Sequence, residues 1–226
     1  YNTAYSYAEE LLDTDALNLK YLDQGVLLIN EKKLKKILTP LKKHLFIPFF
    51  LLSNFGTLND RIKFVKKRLT LKQMDEDEIF DKYEIKSSSI LKKMGFSSKI
   101  IESFFRPYFS SIFLEEELIT SRRMLDYYLK MNIEGNVGIP SKGIEAIPLQ
   151  LSSQFSKENF VFNSKVVDYT ANKVITENGD EHDFDCLVLT SAQIKLKSNL
   201  KNERVKKNYL GSTCLYFSSA KKPYSE

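Results

Sequence analysis

Two prolines and a glycine share one short phrase, Pro140-Ser141-Lys142-Gly143-Ile144-Glu145-Ala146-Ile147-Pro148, and no other stretch constrains the fold as tightly. Pro140 favours an extended approach, and Gly143 supplies a backbone without a Cβ just before a helix. A tight turn therefore feeds a helix. Its apolar positions Ile144, Ile147, Leu151 and Phe155 fall three and four apart, and Pro148 lies near enough to the start to be tolerated in or just after the first turn. One face of that helix is expected to be buried. Residues 160–162, 166–169 and 173–176 then read as short strands, and Asn178-Gly179-Asp180 as a hairpin turn. Cys186-Leu187-Val188-Leu189 is a continuous apolar run suited to a buried parallel strand.

The half of the chain before this phrase reads as mainly helical. Residues 1–12 are polar with interspersed aromatics, and residues 14–19 suit a short helical turn. Residues 26–29 make a short strand, after which Asn30 is expected to cap a helix through Leu41. Lys32, Lys33, Lys35, Lys36, Lys42 and Lys43 would line its solvated face. Residues 44–52 are apolar around Pro48, and a run of about nine residues suits a core better than a bilayer. Thr57 heads a helix that carries Leu58, Ile62, Val65 and Leu69 at helical spacing. An acidic linker over 74–81 ends in a short helix. Ser87-Ser88-Ser89 offers an N-cap for a helix through Met94, which Gly95 stops. Ser98 is expected to cap residues 99–109, where Ile100, Ile101, Phe104, Phe105 and Tyr108 form one broad face, and 118–133 form a last long helix. Residues 211–218 read as a strand returning to the helical part.

At 226 residues the chain can bury a real core. Its net charge of +5 comes from 34 basic and 29 acidic residues spread along the length, so nothing demands a nucleic-acid partner. No apolar run approaches about 18 residues and no signal sequence opens the chain, which makes a cytoplasmic protein the expectation. Cys186 and Cys214 sit in apolar strand-like phrases without a Cys-x-x-Cys grouping, and buried reduced thiols are expected of them. His44 and His182 are far apart and lack companion carboxylates, so no metal site or triad is assigned and the catalytic residues stay unknown. The chain opens on Tyr1, and it reads as an internal segment of a longer protein.

Several phrases resemble the middle of the flavin-containing amine oxidase superfamily, which includes monoamine oxidases, protoporphyrinogen oxidases and phytoene desaturases. The family's P-x-G-G-M-x-x-I-P-x-x-L is similar to residues 140–151, with Lys142 in place of the first glycine and Ile144 in place of methionine. A V-x-x-I phrase corresponds to Lys165-Val166-Val167-Asp168-Tyr169, and D-x-V-V-x-A/T to Asp185-Cys186-Leu187-Val188-Leu189-Thr190. Ser103-Phe104-Phe105-Arg106-Pro107-Tyr108-Phe109, Phe113-Leu114-Glu115 and Leu118-Ile119-Thr120-Ser121-Arg122-Arg123 look like the helical substrate-domain segment of the desaturase or protoporphyrinogen-oxidase subgroup.

The resemblance implies an α+β fold, a helical substrate-binding domain joined to a mixed β-sheet segment of a flavin-dependent oxidoreductase. Residues 1–135 would be the substrate-domain segment, 136–195 the helix and meander of the FAD-binding domain, and 196–226 the return strand. It implies FAD as cofactor of the intact protein, with Lys165 and Val166 and then Thr190 and Ser191 on the cofactor side. Phe104, Phe105, Arg106 and Tyr108 would meet a large apolar or amphipathic substrate. Helix–helix packing for the aromatics, and ion pairs of Arg106, Arg122 and Arg123 with Glu102 or Glu115 to Glu117, are the plainer readings beside it. Two departures matter. The Gly-x-Gly-x-x-Gly turn that receives a dinucleotide pyrophosphate is missing from all eight glycines, so the isolated segment is expected to be inactive. Thr213 stands where amine oxidases proper carry a lysine, which favours dehydrogenation of an activated C–H. A rival from another class is a peripheral membrane-binding module, drawn from the lysines of 32–43 followed by apolar 44–52. A non-catalytic interaction domain is the third.

Overall fold

The structure, a computed structural model, describes residues 1–22, 26–30, 33–37, 47–53, 55–190 and 210–220. The chain divides into two compact units, residues 1–151 with 210–226, and residues 152–209.

The first unit opens with α1 (Ser6–Leu11), α2 (Thr14–Leu17) and the short strand β1 (Leu19–Tyr21). Strands β2 (Val26–Asn30) and β3 (Lys33–Ile37) follow as an antiparallel hairpin, in register from Val26 opposite Ile37 to Asn30 opposite Lys33. The expected lysine-rich helix is thus replaced over 33–37 by a strand. An adjacent β-branched strand offers a ladder that overrides the lysines' helical preference. Lys32, Lys42, Lys43 and His44 lie outside the described residues.

Next come α3 (Ile47–Leu52), α4 (Leu58–Gln73), α5 (Glu76–Phe80), α6 (Ser87–Lys93) and α7 (Ser98–Ile100). A π-helical turn (Ile101–Phe105) continues into α8 (Arg106–Phe113), followed by α9 (Arg122–Glu134), β4 (Gly138–Pro140) and α10 (Ala146–Ser152). Thr57 caps α4 in a reciprocal box with Asp60, and Asp75 caps α5 in the same way with Glu78. The cap of α7 is Ser97, one residue earlier than its sequence suggests, and Ser87 lies inside α6. The buried Ser87 hydroxyl donates instead to the carbonyls of Thr120 and Ser121, at 2.7 and 3.1 Å.

The last long helix starts at Arg122, not at Leu118. The Glu115 carboxylate accepts the amides of Ile119 and Thr120 at 3.0 and 2.6 Å, Leu118 has a φ of 50°, and Ser121 then caps α9. At its other end α9 stops at Gly135, where a Cβ would fall 1.8 Å from Asn2 Oδ1 and 2.4 Å from the Ala4 nitrogen. Only glycine lets the first residues lie so close. Buried Asn2 donates from Nδ2 to the Met131 carbonyl at 3.1 Å, and β4 pairs antiparallel with β1 beside it.

The core of this unit is one cluster running from Phe50, Phe55 and Phe64 through Leu71, Ile79, Leu91 and Phe96 to Ile100, Phe104, Phe105, Phe109, Leu125 and Ile133. Helix α10 behaves otherwise: none of its residues is buried, and Ile144 and Phe155 are exposed, contrary to the expected buried face.

The second unit holds a 3-10 turn (Lys157–Asn159) and strands β5 (Val166–Tyr169), β6 (Lys173–Thr176) and β7 (Glu181–Asp183), in an antiparallel meander of order β5-β6-β7. The turn at Asn178-Gly179-Asp180 forms as the sequence predicts, with Gly179 at a φ of 89°. Three predicted strands are not found. Residues 160–162, 186–189 and 211–218 pair with no strand among the described residues. Without a ladder or a covering layer a four-residue apolar run has nothing to hold it extended and buried. Cys186 and Cys214 are accordingly exposed, which overturns the expectation of buried thiols.

Candidate functional site

The four residues expected on the substrate side lie together where the π-helical turn runs into α8. The wider turn points Ile101, Phe104 and Phe105 inward, and Phe109 follows one turn on. Phe104 meets Phe55 edge-on at 4.7 Å, Phe105 meets Phe96 at 5.0 Å, and the two rings of the pair sit 5.3 Å apart. Both are fully buried and serve as packing. Tyr108 is half-buried, stacks on Phe104 at 5.5 Å and lies 6.3 Å from Tyr128. Burial first, and then its contact with Tyr128, push its phenol well above the usual tyrosine range.

Arg106 stands at the edge of this wall. Its guanidinium clasps Glu102 in two bonds, Nε to Oε2 at 2.6 Å and Nη2 to Oε1 at 3.0 Å, while Nη1 donates to the Glu116 carbonyl at 2.6 Å. Glu117 lies 3.9 Å away. The fork is satisfied by its own surroundings, and the plainer reading of Arg106 as an ion-pair residue describes its geometry.

Two carboxylates that sequence reasoning passed over hold the helices in place. Asp126 on α9 is fully buried against three cations: Lys67 of α4 at 2.5 Å, Lys82 after α5 at 2.9 Å, and Arg122 one turn back at 3.6 Å. Arg122 also lies over the Tyr83 ring at 5.0 Å, and Arg123 donates to the Lys82 carbonyl at 2.6 Å. Burial pulls the Lys67 ammonium below the usual lysine range, and Asp126 opposes that pull. The signal in the sequence was an acid between Leu125 and Leu129 on an otherwise apolar stripe, four residues after an arginine.

Asp60 joins two helix starts. It accepts the Thr57 amide at 2.9 Å and hydroxyl at 2.8 Å, and the Ser97 amide at 2.8 Å and hydroxyl at 2.7 Å. Burial alone would raise its carboxyl; the bonds from Ser97 and Thr57 outweigh it and hold the group down to about 2. Both acids lie among side chains of the helices they join, Asp60 among the donors of Thr57 and Ser97 and Asp126 among three cations, which is a structural arrangement.

The cofactor-side residues lie in the second unit. Val166 pairs with Thr176 at the start of β5, the register slips between Val166 and Asp168, and Lys165 accepts the Glu177 amide at 2.8 Å. The Lys165 ammonium reaches Glu177 at 3.0 Å. β5 is an outer strand of the meander, and its register irregularity falls between Val166 and Asp168. Thr190 is exposed, and Ser191 lies outside the described residues. The glycine-rich cradle that would hold a dinucleotide's pyrophosphate is not in the 226-residue sequence. Among the described residues no three of His, Cys, Asp and Glu group as a metal site, and no helix is long and apolar enough to cross a membrane.

The structure thus gathers Phe104, Phe105, Arg106 and Tyr108 on one helical stretch, and Lys165 with Val166 on one strand edge. Comparison with known proteins bears on what the two are for. No curated protein and no solved structure matches the chain significantly. A family model described as flavin containing amine oxidoreductase matches residues 1–219, which takes in the helical unit, the meander and the segment after it. On that span the chain belongs to the flavin-containing amine oxidoreductases, a family of flavin-dependent oxidoreductases.

Proposed function

We propose that these residues are the substrate-binding half, with the sheet leading back toward the cofactor, of an FAD-dependent oxidoreductase that dehydrogenates a large apolar substrate. One observation carries the reading: the family match runs over 1–219 although the chain lacks any Gly-x-Gly-x-x-Gly turn. The dinucleotide clamp then lies elsewhere in the polypeptide, and the segment alone is inactive. A bound flavin supplies the acceptor for a hydride from an activated C–H. The residues described here position the substrate. Phe104 and Phe105 back the wall from inside the core, Tyr108, which is only half-buried, is the one a ligand would touch, and Arg106 would bind a ligand only by leaving Glu102. Lys165 and Val166 would meet the adenine end of FAD along the β5 edge, with Thr190 and Ser191 beyond. Thr213, in place of the family's lysine, supports a desaturase-like or protoporphyrinogen-oxidase-like reaction over amine oxidation.

The test is the visible spectrum of the full-length protein. Bands at about 375 and 450 nm that bleach anaerobically with a polyene precursor or a reduced tetrapyrrole are expected. Bleaching by simple amines would replace the subgroup, and a colourless full-length protein would overturn the enzyme reading altogether.

A further inference from the structure

Three phenols carried by separate elements meet beside the aromatic wall. Tyr108 of α8 and Tyr128 of α9 have ring centres 6.3 Å apart, and a hydrogen bond joins their side chains. Tyr5, the residue just before α1, stacks on Tyr127 at 6.4 Å, and burial first and then Tyr128 push its phenol above the usual tyrosine range. All three residues are half-buried, so each keeps some surface open to solvent. What surrounds them is mostly carbon. Tyr108 stacks on Phe104 and meets Phe109 edge-on at 5.2 Å, and Phe109 meets Tyr128 at 5.8 Å.

The hydroxyls bring more donors than the protein uses. A phenol carries one donor proton and accepts as well. The bond between Tyr108 and Tyr128 takes up one proton, and among the described residues the remaining phenol protons have no acceptor. A few polar groups converging on an apolar wall are what fixes the orientation of a ligand. The charges narrow its chemistry. Arg106, the one cation of α8, is spent on Glu102 and the Glu116 carbonyl. A carboxylate laid against these rings would lose its water with no free cation on the helix to answer it. A carbonyl or ether oxygen has no charge to desolvate and accepts what the phenols offer.

We propose that Tyr108 and Tyr128, with Tyr5 beside them, bind the carbonyl or ether oxygen of an uncharged, otherwise apolar molecule, and that this oxygen sets the molecule's orientation along α8. The inference rests on the reading of this wall as the substrate side, and it names the substrate class: a large apolar molecule with an uncharged oxygen, in preference to one bearing carboxylates.

Equilibrium dialysis of the full-length protein against para-acetylbiphenyl and para-ethylbiphenyl, which differ by a carbonyl in place of a methylene, tests it. The unmodified protein is expected to bind both. Tyr108→Phe with Tyr128→Phe keeps the rings and removes the hydroxyls. It should weaken para-acetylbiphenyl about fivefold, the effect of one ordinary hydrogen bond, and leave para-ethylbiphenyl bound at least as well. An unmodified protein that binds neither probe, or a variant that keeps the original ratio of the two affinities, overturns the proposal. A variant that loses both probes alike overturns it in favour of a packing role for the pair. The visible spectrum of the same sample answers the flavin question separately. A colourless protein whose variant loses only the ketone keeps the oxygen site as that of a bound ligand and loses the oxidoreductase reading; a flavin-coloured protein whose variant keeps the ratio does the reverse.

Discussion

Lys82 meets Asp126 at 2.9 Å in the helical unit, and Lys173 meets Glu181 at 2.8 Å in the meander. The distances are nearly equal and the surroundings are not. Asp126 is sealed under α4 and α9 with two further cations beside it, whereas the strand pair lies in solvent. In the helical unit the aromatic cluster excludes water, so each ionised group must be answered by a specific partner. In the meander, Thr176 is the one buried residue among those described, and water answers the charges. Identical contacts therefore do different work in the two units, and stability should be concentrated in the helical one.

The largest effect expected is from Asp126→Ala. It strands three cations beneath the surface, and breaking a buried ion pair on one side costs about 3–5 kcal/mol. Thermal or urea unfolding of the full protein should show it, and replacing Lys67 and Lys82 by methionine in the same background should recover much of the loss. A shift no larger than that of a surface variant would mean that water reaches Asp126 and that the contrast between the units is false.

Asp60 comes next and gives a pH signature. Its carboxyl is held at about 2, below the ordinary 3.8, so the folded state binds the proton less readily than the unfolded chain does. The associated stability, about 2 kcal/mol, is complete above pH 4 or so and is lost as pH falls through about 2. Asp60→Asn should flatten that acid limb in denaturant melts taken from neutral to acid pH. Thr57→Ala removes one of the two partners and the α4 cap, with a smaller cost of about 1 kcal/mol at neutral pH.

How much of this was legible in the sequence follows the same division. Thr57 and the Asn178-Gly179-Asp180 turn act within a few residues of themselves, and local chemistry is written locally. Thr57 was read as a helix head, and the strands at 166–169 and 173–176 fell where alternation put them. Lys33 to Ile37 was misread because lysines suit a helix as well as a strand and a neighbouring strand decided. The π-helical turn, the Asn2 contact beneath Gly135 and the convergence of Lys67, Lys82 and Arg122 on Asp126 depend on residues far apart in the chain. On the candidate site, the grouping of Phe104 to Tyr108 was visible as an aromatic stripe. That Phe104 and Phe105 turn into the core while Arg106 is spent on Glu102 required the packed helices.

The smallest effect expected is the sharpest test of the comparison. In the meander Lys173 is drawn above the usual lysine range first by its hydrogen bond to Glu181 and then by the charges of Glu181 and Asp183, and Glu181 is drawn down by the same lysine. A raised lysine stabilises the fold below its ordinary pKa and ceases to do so as pH climbs through the raised value, so any contribution would fade at alkaline pH. Because both groups lie in solvent, salt screens the attraction and side-chain ordering opposes it. Lys173→Ala is therefore expected to leave the melting temperature unchanged in physiological salt at neutral and at alkaline pH. A loss comparable with that of the Asp126 variant would show that this face of β6 and β7 is shielded from water in the intact protein. The two units would then differ in what covers them, and no longer in how they are built.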